Sequence, residues 1–341
     1  MSSSNAPPSS SSSWESATPA SVLVVGAGIA GLACARALRE AGVAVRVAER
    51  GRRPGGRMSG RTLHGRPVDL GAAYFTVPEG SAFGSVSADW ESRGLARPWT
   101  DTLTVLDAGE CATGRTSGPM RYAAPGGLRS LVADLAEGLD VSFEREVVAV
   151  GADGTVTGTD GRTLAFDTVA LAMPDPQAVR LLEPASAAAA ALDPSVWEPT
   201  VSVALGFAER FWPDDLHAAF VNGSPVIDLV ADDGDRRGDG APVLVAHSTA
   251  AVAREHLDAP EGAIESVLAE VLRLLGAEEG TRPVWTHAHR WSFARPGRAH
   301  PEPYLLQEHL AVCGDAWGPR SSVSTAWASG DALGRAIAAR G

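Results

Sequence analysis

The fold is decided by the stretch SVLVVGAGIAG, residues 21–31, in which an apolar β-branched run leads into a glycine-rich turn. Residues 31–40 then have the apolar spacing of a helix, and residues 43–48 form a second apolar run that ends at Glu49. The glycines let the backbone approach a pyrophosphate at the helix N-terminus, and an acid at the end of the second strand can accept hydrogen bonds from ribose hydroxyls. The stretch therefore predicts a dinucleotide-binding unit, and the alternative is a glycine-rich turn in a strand-helix-strand unit that binds nothing.

Length and charge limit the classes of function. The chain has 341 residues, which fits roughly two domains. Its 29 basic and 41 acidic residues give a formal charge of −12, which repels phosphate backbones and anionic lipid surfaces. We therefore expect neither a nucleic-acid nor a membrane partner. Every basic residue is Arg, so neither a Schiff-base lysine nor a phosphate-loop lysine is present.

Cysteine usage and the N-terminal composition give two further expectations. Cys34, Cys111 and Cys313 lie far apart and form no CxxC pair, which fits neither a disulfide framework nor a thiolate zinc site. A reducing, cytoplasmic location is the simpler interpretation. Residues 1–20 are rich in Ser and Pro and are predicted to form a disordered tail.

The pattern changes after residue 200. Short alternating strands and one long amphipathic helix over residues 261–275 predict a second, antiparallel sheet. Residues 231–240, ADDGDRRGDG, lack the spacing of a calcium loop, so we interpret them as a solvated hairpin loop. A buried strand over residues 310–313 and a helix over residues 324–339 return the chain to the first domain. The predicted fold class is α/β, with a Rossmann-like dinucleotide-binding domain and a smaller α+β domain on an antiparallel sheet.

Short motifs occur in order from about residue 21 to the C-terminus. The broader set is GAGIAG at 26–31, ER at 49–50, PGGR at 54–57, DLGA at 69–72 and GD at 314–315. The narrower set is GGRMS at 55–59, GAAYFT at 71–76, PGGL at 125–128, MPDPQA at 173–178, HRWSFA at 289–294 and AVCGD at 311–315. The broader set resembles the FAD-binding fold of the flavin amine oxidases. The narrower set resembles the bacterial renalase-like branch of that superfamily.

This resemblance implies a division into two domains and a set of FAD contacts. The FAD domain would comprise residues 21–78, 122–175 and 296–341, and the substrate domain residues 79–121 and 176–295. FAD would be held noncovalently, because no cysteine lies in a flavin-linking motif. The expected FAD contacts are Gly26, Gly28, Ile29, Ala30, Gly31, Glu49, Arg50, Gly56, Arg57, Gly71, Ala72, Val148, Gly314, Asp315 and Val323.

The resemblance also implies a role for each part of this set. The amides of Ile29 and Ala30 would face the pyrophosphate, Glu49 would bind the adenosine ribose, and Arg57 would contact phosphate. Residues 71–72 would lie beside the isoalloxazine ring. The backbone of Val148 would meet the adenine, Asp315 would bind the ribityl or pyrophosphate region, and Val323 would lie below the pyrimidine edge of the flavin. Relatives usually carry Glu-Gly where this chain has Ser324-Thr325, which removes the conformational freedom of glycine from that approach.

Residues 283–295, PVWTHAHRWSFAR, predict a strand that places its aromatic residues and histidines on one face. That face is either the wall of a substrate pocket or a surface that packs the sheet onto a helix. No carboxylate or thiolate nearby completes a metal site with the two histidines, so no metal is expected. The pocket candidates are Tyr74, His287, His289, Trp291 and Trp317.

The function implied by the resemblance is that of an FAD-dependent oxidase. Such an enzyme takes a hydride from a small-molecule carbon onto flavin N5 and passes the electrons to O2, which forms H2O2. The implied substrate is a dihydronicotinamide nucleotide, the 2- or 6-dihydro isomer of NAD(P)H, which gives NAD(P)+. One alternative is an amine oxidase or a secondary-metabolite oxidase or desaturase of the same fold, although many amine oxidases place a lysine near N5. A second alternative is a non-catalytic, redox-sensing FAD-binding module.

Overall fold

The computed structural model describes residues 21–109 and 113–340. The predicted tail at residues 1–20 and Cys111 lie outside these described residues. The strands are β1 Val22–Val25, β2 Val45–Ala48, β3 Gly60–Leu63, β4 Arg66–Asp69, β5 Phe75–Thr76, β6 Arg97–Asp107, β7 Thr113–Ala123, β8 Val141–Ser142, β9 Val147–Val150, β10 Thr155–Gly158, β11 Thr163–Ala165, β12 Thr168–Leu171, β13 Trp197–Gly206, β14 Ala218–Asn222, β15 Ile227–Asp232, β16 Val243–Ser248, β17 Trp285–Pro296, β18 Leu305–Leu306 and β19 Leu310–Val312. The α-helices are α1 Ile29–Glu40, α2 Phe83–Ser92, α3 Leu128–Ala136, α4 Asp175–Val179, α5 Ala187–Ala190, α6 Asp233–Arg237, α7 Ala250–Glu255, α8 Ile264–Leu274 and α9 Val323–Ala338.

The first sheet has six strands in the order β18-β19-β12-β1-β2-β8 and is parallel except for β18. All four residues of β1 are buried, as expected for a central strand that is covered on both faces. Helices α1 and α9 pack so closely that a Cβ at Gly330 would lie 1.9 Å from the carbonyl oxygen of Ala30, and only glycine fits there. The predicted Rossmann-like unit is confirmed. In the described part of the chain, no helix combines the length and apolarity needed to cross a bilayer.

The second sheet has eight strands in the order β17-β13-β16-β15-β14-β6-β7-β5, and β14 and β6 are its parallel pair. Alternate residues of β13 face opposite ways, since successive side chains in a strand point to opposite faces. Val201 and Val203 are fully buried in a cluster with Val267 and Val271 of α8. The other face of the sheet, which carries Ser202, lines a cavity. The predicted α/β class with a smaller α+β part is thus confirmed.

The domain division stays a prediction, and two of its boundaries fall close to elements of the opposite sheet. Strand β5 lies in the segment assigned to the FAD domain, but it pairs with β7 of the eight-stranded sheet. The second segment of the predicted substrate domain begins at residue 176, yet Leu182 and Leu192 pack in the cluster that contains Leu23 of the six-stranded sheet. The chain therefore enters the eight-stranded sheet at β5, just before the predicted boundary at residue 78, and returns to that sheet only at β13, well after the predicted boundary at residue 176.

The interpretation of residues 231–240 as a solvated hairpin loop is wrong. Strand β15 leads directly into helix α6, where Asp233, Arg236 and Arg237 are at most 4% exposed. The segment carries both signs of charge, and its partners come from distant parts of the chain. Arg66 donates to Asp233 at 2.6 Å, and Arg236 donates to the backbone oxygen of Asp69 at 2.7 Å. Local composition cannot reveal these long-range partners.

Candidate active site

A cavity of about 1700 Å³ extends from the glycine-rich turn after β1 to the open face of the eight-stranded sheet. Most of the residues predicted to bind a cofactor or substrate line it. These lining residues are Gly26, Gly28, Ile29, Ala30, Glu49, Arg50, Gly56, Arg57, Gly71, Ala72, Tyr74, His289, Trp291, Gly314, Asp315 and Val323. The predicted residues outside the lining are Gly31, Val148, His287 and Trp317.

The nucleotide end of the cavity is formed by the backbone around the start of α1. Gly28 precedes the helix without a side-chain cap, and the first turn contains no acidic residue. The first amides of α1 can therefore donate to an anion, which the helix dipole also favours. Gly31 does not line the cavity because it packs against the turn. A Cβ at Gly31 would lie 2.0 Å from the carbonyl oxygen of Gly26, so no side chain fits there.

Glu49 at the end of β2 is fixed by the backbone beside this turn. Its Oε2 accepts a hydrogen bond from the amide of Ala27 at 2.8 Å, and its Oε1 accepts one from the amide of Gly51 at 2.7 Å. A carboxylate has about four acceptor positions, so two remain for the hydroxyls of a ribose. The position and geometry fit the predicted ribose contact.

Arg57 and Asp315, both predicted to contact the cofactor, are paired with each other. Nη1 of Arg57 donates to Oδ2 of Asp315 at 2.9 Å and to the backbone oxygen of Ala294 at 3.0 Å, and Nη2 donates to Oδ1. The backbone oxygen of Arg57 accepts from the amide of Ala72 at 2.9 Å. A Cβ at Gly71 would lie 1.8 Å from that same oxygen, so glycine is required there. This contact holds the predicted isoalloxazine segment close to Arg57.

Two predicted backbone contacts differ in detail from the structure. Val148 is 44% exposed and lies outside the cavity, whereas its neighbour Val147 is buried and lines it. At the start of α9, Val323 lines the cavity but Thr325 does not. The hydroxyl of Thr325 instead donates to the backbone oxygen of Arg320 at 2.6 Å. The threonine side chain is therefore held by the turn that precedes α9, through Arg320 and Ser322, and does not itself line the cavity.

At the substrate end, Tyr74, His289 and Trp291 line the cavity, and two other candidates do not. The indole of Trp291 donates to the backbone oxygen of Leu70 at 2.7 Å and meets the ring of His289 edge-on at 4.5 Å. His287, one two-residue step earlier on β17, lies opposite Ala204 and beyond the edge of the cavity. Trp317 is 5% exposed and stacks on His300 with ring centres 3.8 Å apart, so it packs in a core.

Sequence reasoning missed polar residues on the inner strands of the same sheet. Ser202 of β13 lies directly opposite His289 of β17 on one side and His247 of β16 on the other. All three line the cavity. Burial and the charges of Arg236 and Arg295 lower the pKa of His247 to about 4. Burial, followed by the charge of Arg61, also lowers the pKa of His289 to about 4.

The cavity is rich in arginine although the chain as a whole is acidic. Among the described residues, its lining contains ten arginines and four carboxylates. Arg53, Arg61 and Arg129 form no ion pair within residues 21–109 and 113–340, and Nε of Arg129 is buried without a hydrogen-bond partner. Burial and the charges of Arg53 and Arg61 lower the pKa of Arg129. Positive charge is therefore concentrated here without matching negative charge from the protein.

A helix N-terminus open to an anion, a fixed carboxylate for a ribose and a cavity that continues to a second sheet fit FAD. The fold and site are those of an FAD-dependent oxidoreductase. Residues 24–88 match the family model described as an NAD(P)-binding Rossmann-like domain. Residues 80–332, about three quarters of the chain, match the model described as flavin containing amine oxidoreductase. The chain belongs to this flavin-containing amine oxidoreductase family.

Solved structures with the same fold carry several different names. A putative protoporphyrinogen oxidase from Exiguobacterium sp. 255-15 has a TM-score of 0.74 at 16% identity, covering 95% of this chain and 100% of that chain. A reduced UDP-galactopyranose mutase has a TM-score of 0.74 at 14% identity, covering 95% of this chain and 96% of that chain. Cyclohexylamine oxidase from Brevibacterium oxydans IH-35A has a TM-score of 0.73 at 15% identity, covering 94% and 99%. At these identities the likeness extends to the fold alone.

Proposed function

We propose that this protein oxidises the 2- or 6-dihydro isomers of NAD(P)H to NAD(P)+ and passes the electrons to O2, which forms H2O2. Bound FAD supplies the hydride acceptor, N5, and the protein binds and orients the donor. The observation that carries the proposal is the excess of arginine over carboxylate in the cavity lining. An anionic nucleotide is attracted by such a field, whereas a protonated amine is repelled.

Three of the four carboxylates of the lining are already engaged by other groups of the protein and offer little compensation for this charge. Glu49 is held by two backbone amides, Asp315 pairs with Arg57, and Asp228 accepts from Arg295 at 2.7 Å. The diphosphate of FAD would neutralise only part of the remaining excess. The phosphate groups of a dihydronicotinamide nucleotide would neutralise more of it, and we assign them to the region of Arg61 and Arg129.

The uncharged histidines of the substrate end also suit this reaction. Loss of hydride turns a dihydronicotinamide into an aromatic cation, so no base has to remove a proton from the donor nitrogen. His247 and His289, with pKa values of about 4, are neutral at pH 7 and can orient the ring by hydrogen bonds without adding charge. The reaction needs positioning rather than acid-base catalysis from these side chains.

The remaining parts of the proposal concern the cofactor and the compartment. Cys34 and Cys313 are buried, and burial raises the pKa of both thiols, to about 12 for Cys313. Buried thiols of this kind are poor nucleophiles, which supports noncovalent FAD. A cytoplasmic location remains part of the proposal and rests on cysteine usage alone.

The second candidate is oxidation of an amine. It is favoured by the names of structural neighbours such as cyclohexylamine oxidase and putrescine oxidase, whose fold this chain shares. In this chain an ammonium group would have to enter a cavity with more than twice as many arginines as carboxylates among its described lining residues. The two candidates therefore predict opposite charge preferences for the substrate.

Peroxide formation by the FAD-loaded enzyme separates the candidates. We expect turnover with borohydride-generated dihydronicotinamide isomers and none with cyclohexylamine or putrescine. Turnover with the amines but not with the dihydronicotinamide isomers would contradict the proposal and identify an amine oxidase.

A matched pair of arginine variants tests the charge argument. Arg129→Gln should raise the KM for dihydronicotinamide mononucleotide about tenfold, because one charge-assisted contact to the phosphate is lost. The KM for N-methyl-dihydronicotinamide, which has no phosphate, should not change. Arg254→Gln on the exposed face of α7 is the control and should change neither KM. Equal changes for both substrates would contradict the assignment.

A further inference from the structure

A row of polar side chains crosses the eight-stranded sheet at the substrate end of the cavity. His289 of β17, Ser202 of β13 and His247 of β16 occupy directly opposed positions in antiparallel pairs. Opposed side chains on one face of a sheet have Cβ atoms about 5 Å apart. The serine hydroxyl therefore lies between two imidazole rings, and all three residues line the cavity.

Ser202 at the centre of this row is buried and unpartnered. The residue has an exposure of 0%, and its Oγ has no hydrogen-bond partner. A buried hydroxyl without a hydrogen-bond partner is destabilising, and native proteins rarely leave one unsatisfied. Because Ser202 borders the cavity, a bound molecule can supply the missing partner. The alternate residues Val201 and Val203 point into the opposite, apolar face.

The chemistry of the row specifies the kind of group that it can bind. A neutral imidazole has one donor and one acceptor nitrogen, and a hydroxyl can donate one hydrogen bond and accept others. Within the described residues, no hydrogen bond joins His247 or His289 to another side chain. The two arginines whose charges act on His247 are already paired, Arg236 with Asp233 and Arg295 with Asp228. The row therefore suits an uncharged group that presents both a donor and an acceptor.

We propose that Ser202, flanked by His247 and His289, forms the subsite that binds a primary carboxamide on the substrate ring. The carboxamide NH2 donates to an imidazole nitrogen or to the serine oxygen, and its C=O accepts from the serine hydroxyl. This inference rests on the proposed function only in identifying the ring as a dihydronicotinamide. A ring anchored in this way would have a fixed orientation in the cavity.

The test is equilibrium binding to the oxidised, FAD-loaded enzyme, and the change in flavin absorbance reports binding. The probes are nicotinamide, 3-acetylpyridine, which lacks the NH2 group, and nicotinate, which replaces the amide with a carboxylate. For the wild-type enzyme we expect nicotinamide to bind about tenfold more tightly than 3-acetylpyridine, as one buried hydrogen bond predicts. Nicotinate should bind more weakly than nicotinamide.

The variants assign this preference to Ser202. Ser202→Ala should remove the tenfold preference, and Ser202→Thr, which keeps the hydroxyl, should retain part of it. Ser85→Ala on the exposed side of α2 is the control and should leave the preference intact. Flavin content, measured for every variant, shows whether the site is still folded.

Several results would overturn the subsite. These are an unchanged preference in Ser202→Ala, tighter binding of nicotinate than of nicotinamide, or no spectral response of the wild-type enzyme to any probe. Failure of the proposed function has a different signature. In that case no dihydronicotinamide isomer would reduce the flavin, while the nicotinamide preference and its loss in Ser202→Ala would persist.

Discussion

The two ends of the cavity are built in different ways. At the nucleotide end, the glycine-rich turn, the start of α1 and Glu49 form a surface made mostly of backbone amides that are close together in the sequence. At the substrate end, Ser202 and His247 come from strands that only their register brings together. Backbone groups serve a cofactor whose shape is constant, whereas side chains can change with the substrate. We therefore expect proteins that share this fold to keep the first end and to differ at the second.

The largest effect is expected from a variant that disrupts the nucleotide end of the cavity. Gly31→Val should yield protein without FAD, because even a Cβ at this position would lie 2.0 Å from the carbonyl oxygen of Gly26. The ratio of flavin to protein absorbance measures the loss. Gly114→Val, on β7 with its nearest neighbour 4.0 Å from the added Cβ, is the control and should keep full flavin content. A fully loaded Gly31→Val variant would contradict the close packing of the turn.

The next effect concerns the buried ion pairs of α6, which hold this helix to residues 66–73. Asp233→Asn should lower the free energy of unfolding by about 3–5 kcal/mol, because it leaves buried guanidinium groups without their counter-ion. Burial opposes ionisation, yet Arg236, Arg237 and Arg66 together lower the pKa of Asp233. Urea unfolding measures the loss.

Asp89→Asn provides the matched control for this prediction. Asp89 pairs with Arg93 on the surface of α2, where both side chains are largely exposed. Its loss should cost less than about 1 kcal/mol. Equal losses in the two variants would mean that the buried ion pairs contribute no more than a surface pair.

A smaller effect is expected from a variant of Glu49, the carboxylate that two backbone amides hold in place. Glu49→Gln should weaken FAD binding about tenfold or somewhat more, because one of the two amides that donate to Glu49 would then face an NH2 group. Titration of the apoprotein with FAD measures the affinity. Glu40→Gln at the exposed end of α1 should bind FAD like the wild type. Unchanged affinity in Glu49→Gln would remove this residue from the nucleotide site.

The smallest effect is a pH dependence that belongs to the substrate end. The pKa of His247 is about 4 in the folded protein and about 6.5 in an unfolded chain, so the unfolded state binds more protons between these values. Stability from this group is complete above pH 6.5 and is lost as the pH falls towards 4. His247→Gln should therefore show a smaller drop in urea midpoint from pH 7 to pH 5 than the wild type. An identical drop would contradict a neutral His247.

The sequence was sufficient for the fold class and for the strand-helix-strand unit that forms the nucleotide end. Its signals there are local, since Gly26 and Gly31 belong to one turn and Glu49 ends the next strand. At the substrate end, Tyr74 was predictable from its place within a motif, and the two-residue period of a single strand placed His289 and Trp291 on one face. Ser202 and His247 escaped prediction because a cross-strand neighbour depends on register, which the separate strands do not encode. The buried charges of α6 were misinterpreted for a similar reason, since Asp69 and Arg66 lie far away in the chain.

The most direct test of the central claim is anaerobic stopped-flow absorbance of the FAD-loaded enzyme mixed with separate dihydronicotinamide isomers, followed at the flavin band near about 450 nm. The account predicts rapid bleaching by the 2- or 6-dihydro isomer, none by ordinary NAD(P)H or by cyclohexylamine, and peroxide once air is admitted. Bleaching by the amine but by no dihydronicotinamide would contradict it.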